Sequence, residues 1–297
     1  MWDGTGGRYD QSALRELVEA ARERADRAAA VALRHEILME TAAETMRPFH
    51  RRMAELHRAT ERRHRATADL HASYVAAVKN WAAEPNGRED APPPFMTAVA
   101  ETSGGRSLAV TLFDGPESAA AVVVSDPVAA KANDLEYLFG EGPSWRTSGE
   151  PGVCGGRELS SRWPRFGPAA RELGVRAVVS ARLGPRDAPL GTLTAYRPEP
   201  EPDAEVARST ELVAEALTDT ALHPSTLLDA DDGLPVHPLF GDVDLQCVVH
   251  QATGMVMSTH DCAAPDALAL IRAHAYTLDK SVFEVARTIV NRTSALS

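Results

Sequence analysis

Between residues 12 and 83 the chain has no glycine and one proline, and it is rich in Ala, Arg, Glu and Leu, which lose little on entering a helix. Steps of four and three from Leu14 reach Val18, Ala21, Ala25, Ala28, Ala32, His35, Met39, Ala42, Met46, Phe49, Met53 and Leu56. The same frame crosses Thr60, Arg63 and Thr67, then recovers at Leu70, Tyr74, Ala77 and Trp81. This pattern predicts a long helical arm over 12–83 whose seam pairs with another helix. Two partners fit: a second chain in a dimeric coiled coil, which is the preferred reading, or the arm itself, folded as a hairpin at Pro48, where a helical hydrogen bond is lost.

After Trp81, AAEPNGREDAPPP marks a linker. The period then changes. RSLAVTLF (106–113) and SAAAVVVS (118–125) read as strands joined by a turn at Asp114, Gly115 and Pro116. A helix is expected from Asp126, as N-cap, to about Phe139, with Gly140 ending it. A further helix near Phe166–Leu173, strands in VRAVVSARL and LGTLTAYR, and an amphipathic helix over about 203–222 complete an α+β layout with an antiparallel sheet. This central domain is placed at 92–222.

Residues 223–239 hold three prolines and an acidic cluster and read as a second linker. Over 240–295 three short amphipathic helices follow. Leu245, Val248, Val249, Ala252, Met255 and Val256 face inward in the first; the second opens at Pro265; Ser281 and Glu284 form a capping-box signature for the third. The fold class is therefore multidomain α+β: a long helical or coiled-coil arm, a central antiparallel-sheet domain, and a C-terminal three-helix module.

Composition narrows the function. Lys and Arg total 31 against 42 Asp and Glu, a net charge of −11, which argues against a protein that coats DNA or an anionic membrane. The arm is the exception, with 13 basic against 10 acidic residues. Cys154, Cys247 and Cys262 have no CxxC spacing, and the chain shows neither a secretory leader pattern nor a long apolar run, so a cytoplasmic protein is expected. His50, His57, His64 and His71 fall seven apart, about 10 Å between neighbours along a helix, too far to converge on one metal. No histidine lies between His71 and His223, so the central domain offers neither an axial haem ligand nor a base for Cys154, and there is no GxxxxGK[ST] loop. No cofactor, metal or enzymatic activity is expected.

Two family resemblances follow. LEYLFGEGP (135–143), WPRFGPAARELGVRAVVSARL and LGTLTAY, in this order of elements, resemble a GAF domain of the actinobacterial signalling kind over about 94–222. That resemblance implies a small-molecule sensor or dimerisation scaffold, with Phe113, Leu135, Glu141, Trp163 and Val179 as pocket candidates. HQATGMVMSTHDCAAPDALALIRAHAYTLDKSVFEVARTIV (250–290) resembles an ANTAR domain, with Ala252, Gly254 and Met257, then Ala267, Leu270 and Arg272, then Val285, Ala286 and Ile289 in its three helices. Such domains act as dimers that bind paired RNA hairpins in nascent leaders and prevent terminator formation under control of an attached sensor.

Thr253, Gly254, Arg272, Lys280, Ser281 and Arg287 are the RNA-binding candidates. Gly254 in a helix interior costs about 1 kcal/mol relative to Ala, which close approach of another backbone would offset. Thr253 stands where the family usually carries Lys, and residues 241–297 hold four basic against six acidic residues. The expected function is a signal-responsive, homodimeric antitermination regulator that binds RNA hairpins. The alternative is an RNA-independent dimeric, ligand-sensing regulator whose C-terminal module mediates assembly.

Overall fold

The computed structural model describes residues 11–83, 94–115, 118–145, 152–201, 204–224, 226–228, 235–241, 244–245 and 247–291. Most of the linker expected after Trp81 (84–93) lies outside the described residues. The chain divides into two compact units, one drawn from 1–103 and 212–241, the other from 104–211 and 242–297.

In the first unit, the arm is two helices, α1 (Gln11–Thr41) and α2 (Arg47–Ala83), packed against each other. They run antiparallel: Val18 and Ala21 pack on Ala68, while Arg58 reaches back to Glu36 at 2.8 Å. The arm therefore turns back on itself instead of continuing as one coil. Pro48 sits in the first turn of α2, where its missing N–H costs nothing, and the turn at 42–46 precedes it. Leu14, Val18, Ala21, Ala25, Ala28 and Ala32 of the seam are buried within this hairpin. Farther along, Met46, Phe49 and Leu56 of the same seam remain exposed, as do Leu33 and Ile37 of α1.

The seven-spaced histidines part company. His50 contacts His35 (Nδ1 to Nδ1, 2.9 Å), His57 stacks on the His35 ring at 6.1 Å, and His71 is fully buried. No group of three or more side chains suited to holding a metal ion occurs among the described residues. His71 bonds through Nδ1 to the Thr67 carbonyl and through Nε2 to Nε2 of His237, whose Nδ1 accepts from the Leu239 N–H. This chain of bonds requires both rings neutral, and burial lowers the pKa of each. Phe95 of α3 (Phe95–Ser103) packs edge-on to the His237 ring and at a tilt against His71. The segment read as a linker at 223–239 is thus partly core, since His237 and Leu239 are buried at a 3-10 turn, Pro238–Phe240. Neither α3 nor this turn was legible as an element.

The second unit is built on an antiparallel sheet. Strands β1 (Ser107–Gly115), β2 (Ser118–Val124), β3 (Gly152–Gly155), β4 (Ala177–Leu183), β5 (Gly191–Arg197) and the two-residue β6 (Asp244–Leu245) lie in the order β3-β4-β5-β1-β2-β6. The expected hairpin of β1 and β2 forms, with a register shift after Leu112. Cross-strand pairing separates two faces. Val110, Leu193 and Ala181 share one, while Thr111, Thr192, Thr194, Ser180 and Tyr196 share the other. The second face is covered by α4 (Pro127–Phe139), α5 (Gly156–Arg162) and α6 (Phe166–Glu172) through a core of Ala129, Ala132, Leu159, Phe166, Val178 and Tyr196.

Helix α4 begins and ends where the sequence signals place it. Asp126 Oδ1 accepts from the Val128 and Ala129 N–H groups, and Gly140 adopts φ 66°, ψ 24°. The amphipathic helix read over 203–222 is α7 (Ala204–Thr220), and the division between the two units falls within it. The three C-terminal helices are α8 (Cys247–His260), α9 (Ala264–Leu278) and α10 (Val282–Val290). No described helix is long and apolar enough to cross a membrane.

Candidate functional site

The C-terminal helices bury Val249, Ala252 and Val256 from α8, Ala267, Ile271 and Ala275 from α9, and Val282, Val285, Ala286 and Ile289 from α10 in one core. Spacings of three and four put these on one face of each helix. The core is completed from outside the module: Tyr137 is buried in it, with Leu138 and Trp145 packed alongside. Strand β6 adds a second attachment, since Val122 pairs with Asp244 and Ala121 with Leu245.

The capping box at the start of α10 forms in full. Ser281 Oγ accepts from the Glu284 N–H at 3.1 Å, and the Ser281 N–H donates to Glu284 Oε2 at 3.0 Å. Ser281 is thereby committed to structure. Replacing it with Ala should lower unfolding free energy by about 1 kcal/mol in urea titration.

The remaining RNA-binding candidates divide by exposure. Gly254 lies on the outward side of α8, and a Cβ there would meet nothing within 4 Å among the described residues. The close backbone neighbour expected for Gly254 is therefore not supplied by the rest of the unit, and the position is open. Thr253, one residue earlier, is half-buried and its hydroxyl donates to the Val249 carbonyl at 2.7 Å. Lys280 is exposed in the turn that follows the left-handed Asp279. Arg287 is exposed on α10, its guanidinium 5.9 Å from the Phe283 ring.

Arg272 differs. Its guanidinium sits 5.4 Å from the centre of the Tyr137 ring, and its Nη1 lies 3.0 Å from where a Cβ on Gly140 would be. Burial lowers its pKa, and its Nε is buried with no hydrogen-bond partner among the described residues. Such an unsatisfied donor costs about 1–3 kcal/mol, against about 0.5–2 kcal/mol gained over the ring.

The pocket candidates fall on both sides of the sheet. Leu135 and Trp163 pack on the core beneath α4 and α6, with Trp163 edge-on to Phe166. Val179 is buried on the opposite face, paired with Ala195. Phe113 is half-buried past the register shift, its N–H donating to the Leu190 carbonyl. Glu141 accepts from the Arg165 and Phe166 N–H groups at 2.6 and 2.9 Å, so its carboxylate caps α6. Cys154 is buried, and desolvation pushes its thiol up to about 11, which keeps it protonated and unreactive.

The most unusual group on this side is Glu136, which sequence reasoning passed over. Its carboxyl is fully buried: Oε1 bonds to the Tyr196 hydroxyl at 2.6 Å and to Ser144 Oγ at 3.2 Å, and Oε2 accepts from the Ser144 N–H at 2.7 Å. Thr194 bridges Ser144 and Ser180, and Asn133 donates to Thr111. Desolvation outweighs these bonds and raises the Glu136 pKa to about 8. The signal was present as polar residues at Asn133 and Glu136, in step with Ala129 and Ala132 on the inner face of α4, opposite the Thr and Ser positions of β4 and β5.

A family model for the ANTAR domain matches residues 243–290. No curated protein matches the chain. Among solved structures, one similar to it is the chromophore-binding domain of an unusual bacteriophytochrome from R. palustris, at 16% identity and a TM-score of 0.26, covering 52% of this chain and 60% of that one. The chain thus spans about three fifths of that structure's length.

Proposed function

We propose that the chain, whose residues 243–290 are an ANTAR domain, is a signal-responsive antitermination regulator that binds hairpins in nascent RNA as a homodimer. ANTAR domains are RNA-binding antitermination modules, and that coarse function comes with the domain. What supports its retention in this chain is the open Gly254 on the outward side of α8, with Lys280 and Arg287 exposed in the same module. A helical glycine with free space around its α-carbon has no packing purpose inside the unit. It suits close approach by a phosphate backbone, which the two cations would neutralise.

The central domain is the sensor in this reading, with a small molecule as its signal. The exposed seam residues Met46, Phe49 and Leu56 suit pairing of two arms.

Gly254→Ala tests the RNA contact because stability and binding should move in opposite directions. Unfolding free energy should rise by about 0.5–1 kcal/mol, while affinity for a two-hairpin RNA falls about tenfold or more. Arg287→Ala should weaken binding and reduce the salt slope by about 1. Absence of salt-sensitive binding to that RNA, with or without candidate ligands, would favour the RNA-independent regulator instead.

A further inference from the structure

The segment from Glu136 to Trp145 serves two sites at once. Glu136 and Ser144 bond to each other and to the sheet through Tyr196 and Thr194. Their immediate neighbours, Tyr137 and Trp145, pack at 5.5 Å from one another against the core of the ANTAR helices. Two residues face the sensor and the next two face the output, so a shift that breaks one pair of contacts displaces the other.

Arg272 is seated on this segment. Its guanidinium lies over Tyr137, in space that exists because residue 140 is glycine. The seat provides a ring face but no acceptor for Nε, and the carboxylate of Glu141, next in sequence to Gly140, is engaged by the Arg165 and Phe166 N–H groups at the start of α6. Phosphate oxygens would satisfy Arg272 better than this seat does.

Resting on the RNA-binding reading above, we propose that residues 136–145 form an autoinhibitory seat for the ANTAR domain: Arg272 is withheld from RNA by docking over Tyr137 and Gly140, and rearrangement at the Glu136–Ser144 contact releases it. The sensor then controls RNA affinity by holding or freeing one arginine, without unfolding the output helices.

Gly140→Asn in the full chain fills the guanidinium space with a residue that tolerates the left-handed conformation. Tyr137→Leu is the second variant, which removes the ring while keeping an apolar side chain in the core. Phenylglyoxal modification, read peptide by peptide by mass spectrometry, reports Arg272 directly, with exposed Arg287 as the internal reference. In the unmodified sequence Arg272 should react about tenfold more slowly than Arg287, and either variant should bring the two rates within about twofold. Affinity for the two-hairpin RNA should rise about tenfold in the same variants, and adding Arg272→Ala should cancel that gain.

Equal labelling of Arg272 and Arg287 in the unmodified sequence would overturn the seat. So would faster labelling without tighter binding in a chain that does bind RNA. Faster labelling with no RNA bound by any variant would uphold the seat and remove the RNA reading instead.

Discussion

Ile271→Ala should lower the stability of the three C-terminal helices by about 2–5 kcal/mol and abolish any RNA binding at 37 °C. Ile271 is fully buried at the middle of α9, in a core it shares with residues of α8, α10 and Tyr137. Alanine leaves a cavity that three short helices have little capacity to close. A core this small yields only a few kcal/mol of net stability, so the loss is comparable to the whole. Urea unfolding followed by circular dichroism should show an early transition in Ile271→Ala, while the β-sheet signal persists to higher denaturant. Ile271→Val, which removes one methylene, should cost about 0.5–1.5 kcal/mol and leave a single transition. Identical urea profiles for Ile271→Ala and the unmodified chain would show that this core does not hold the module together.

Glu136 governs the second large effect. In the unfolded chain its carboxyl titrates near the ordinary value, whereas in the fold burial holds the pKa at about 8. Below about pH 4.5 both states bind the proton and the group makes no difference. As pH rises toward 8, the unfolded state loses the proton while the folded state keeps it, so stability falls through that window and levels off above it. The loss amounts to roughly a few kcal/mol across the window.

Glu136→Gln keeps the shape and the acceptor for the Ser144 N–H but cannot ionise. It should remove most of this slope and make the chain more stable than the original at pH 8. Glu136→Ala, by contrast, strands the Tyr196 hydroxyl and Ser144 N–H in the interior and should destabilise at every pH. Unfolding free energies at pH 5, 6.5 and 8 decide the matter. Parallel profiles for the original and Glu136→Gln would mean that Glu136 is ionised in the fold.

Local signals carried most of the secondary structure. Asp126 and Gly140 bracket α4, Pro265 opens α9, and Ser281 with Glu284 starts α10, because caps depend on residues a few positions apart. The short β3 and α5, which meet at Gly155 and Gly156, leave no such signal, since four strand residues and seven helical ones span too little period to detect. For the arm, the seam was legible but not its partner. A heptad pattern states that a helix needs a neighbour and is silent on whether the neighbour lies in the same chain.

Long-range partners explain the misjudged site residues. Glu141 looked like a pocket carboxylate and caps α6, whereas Glu136, five residues earlier, is the buried one. Arg272 looked free from its place on an amphipathic helix. Its burial depends on Tyr137 and Gly140, which are more than 130 residues away in sequence. Gly254 shows the reverse case, a residue expected to have a close neighbour that stands open.

Ultraviolet crosslinking of the full chain to RNA in living cells, with the crosslinked peptides and transcripts both identified, tests RNA recognition by the 243–290 module most directly. Crosslinks should map to the peptides carrying Gly254, Lys280 and Arg287, and the recovered transcripts should carry two hairpins ahead of a terminator. Recovery of no RNA, or crosslinks confined to the arm and the central domain, would contradict the account.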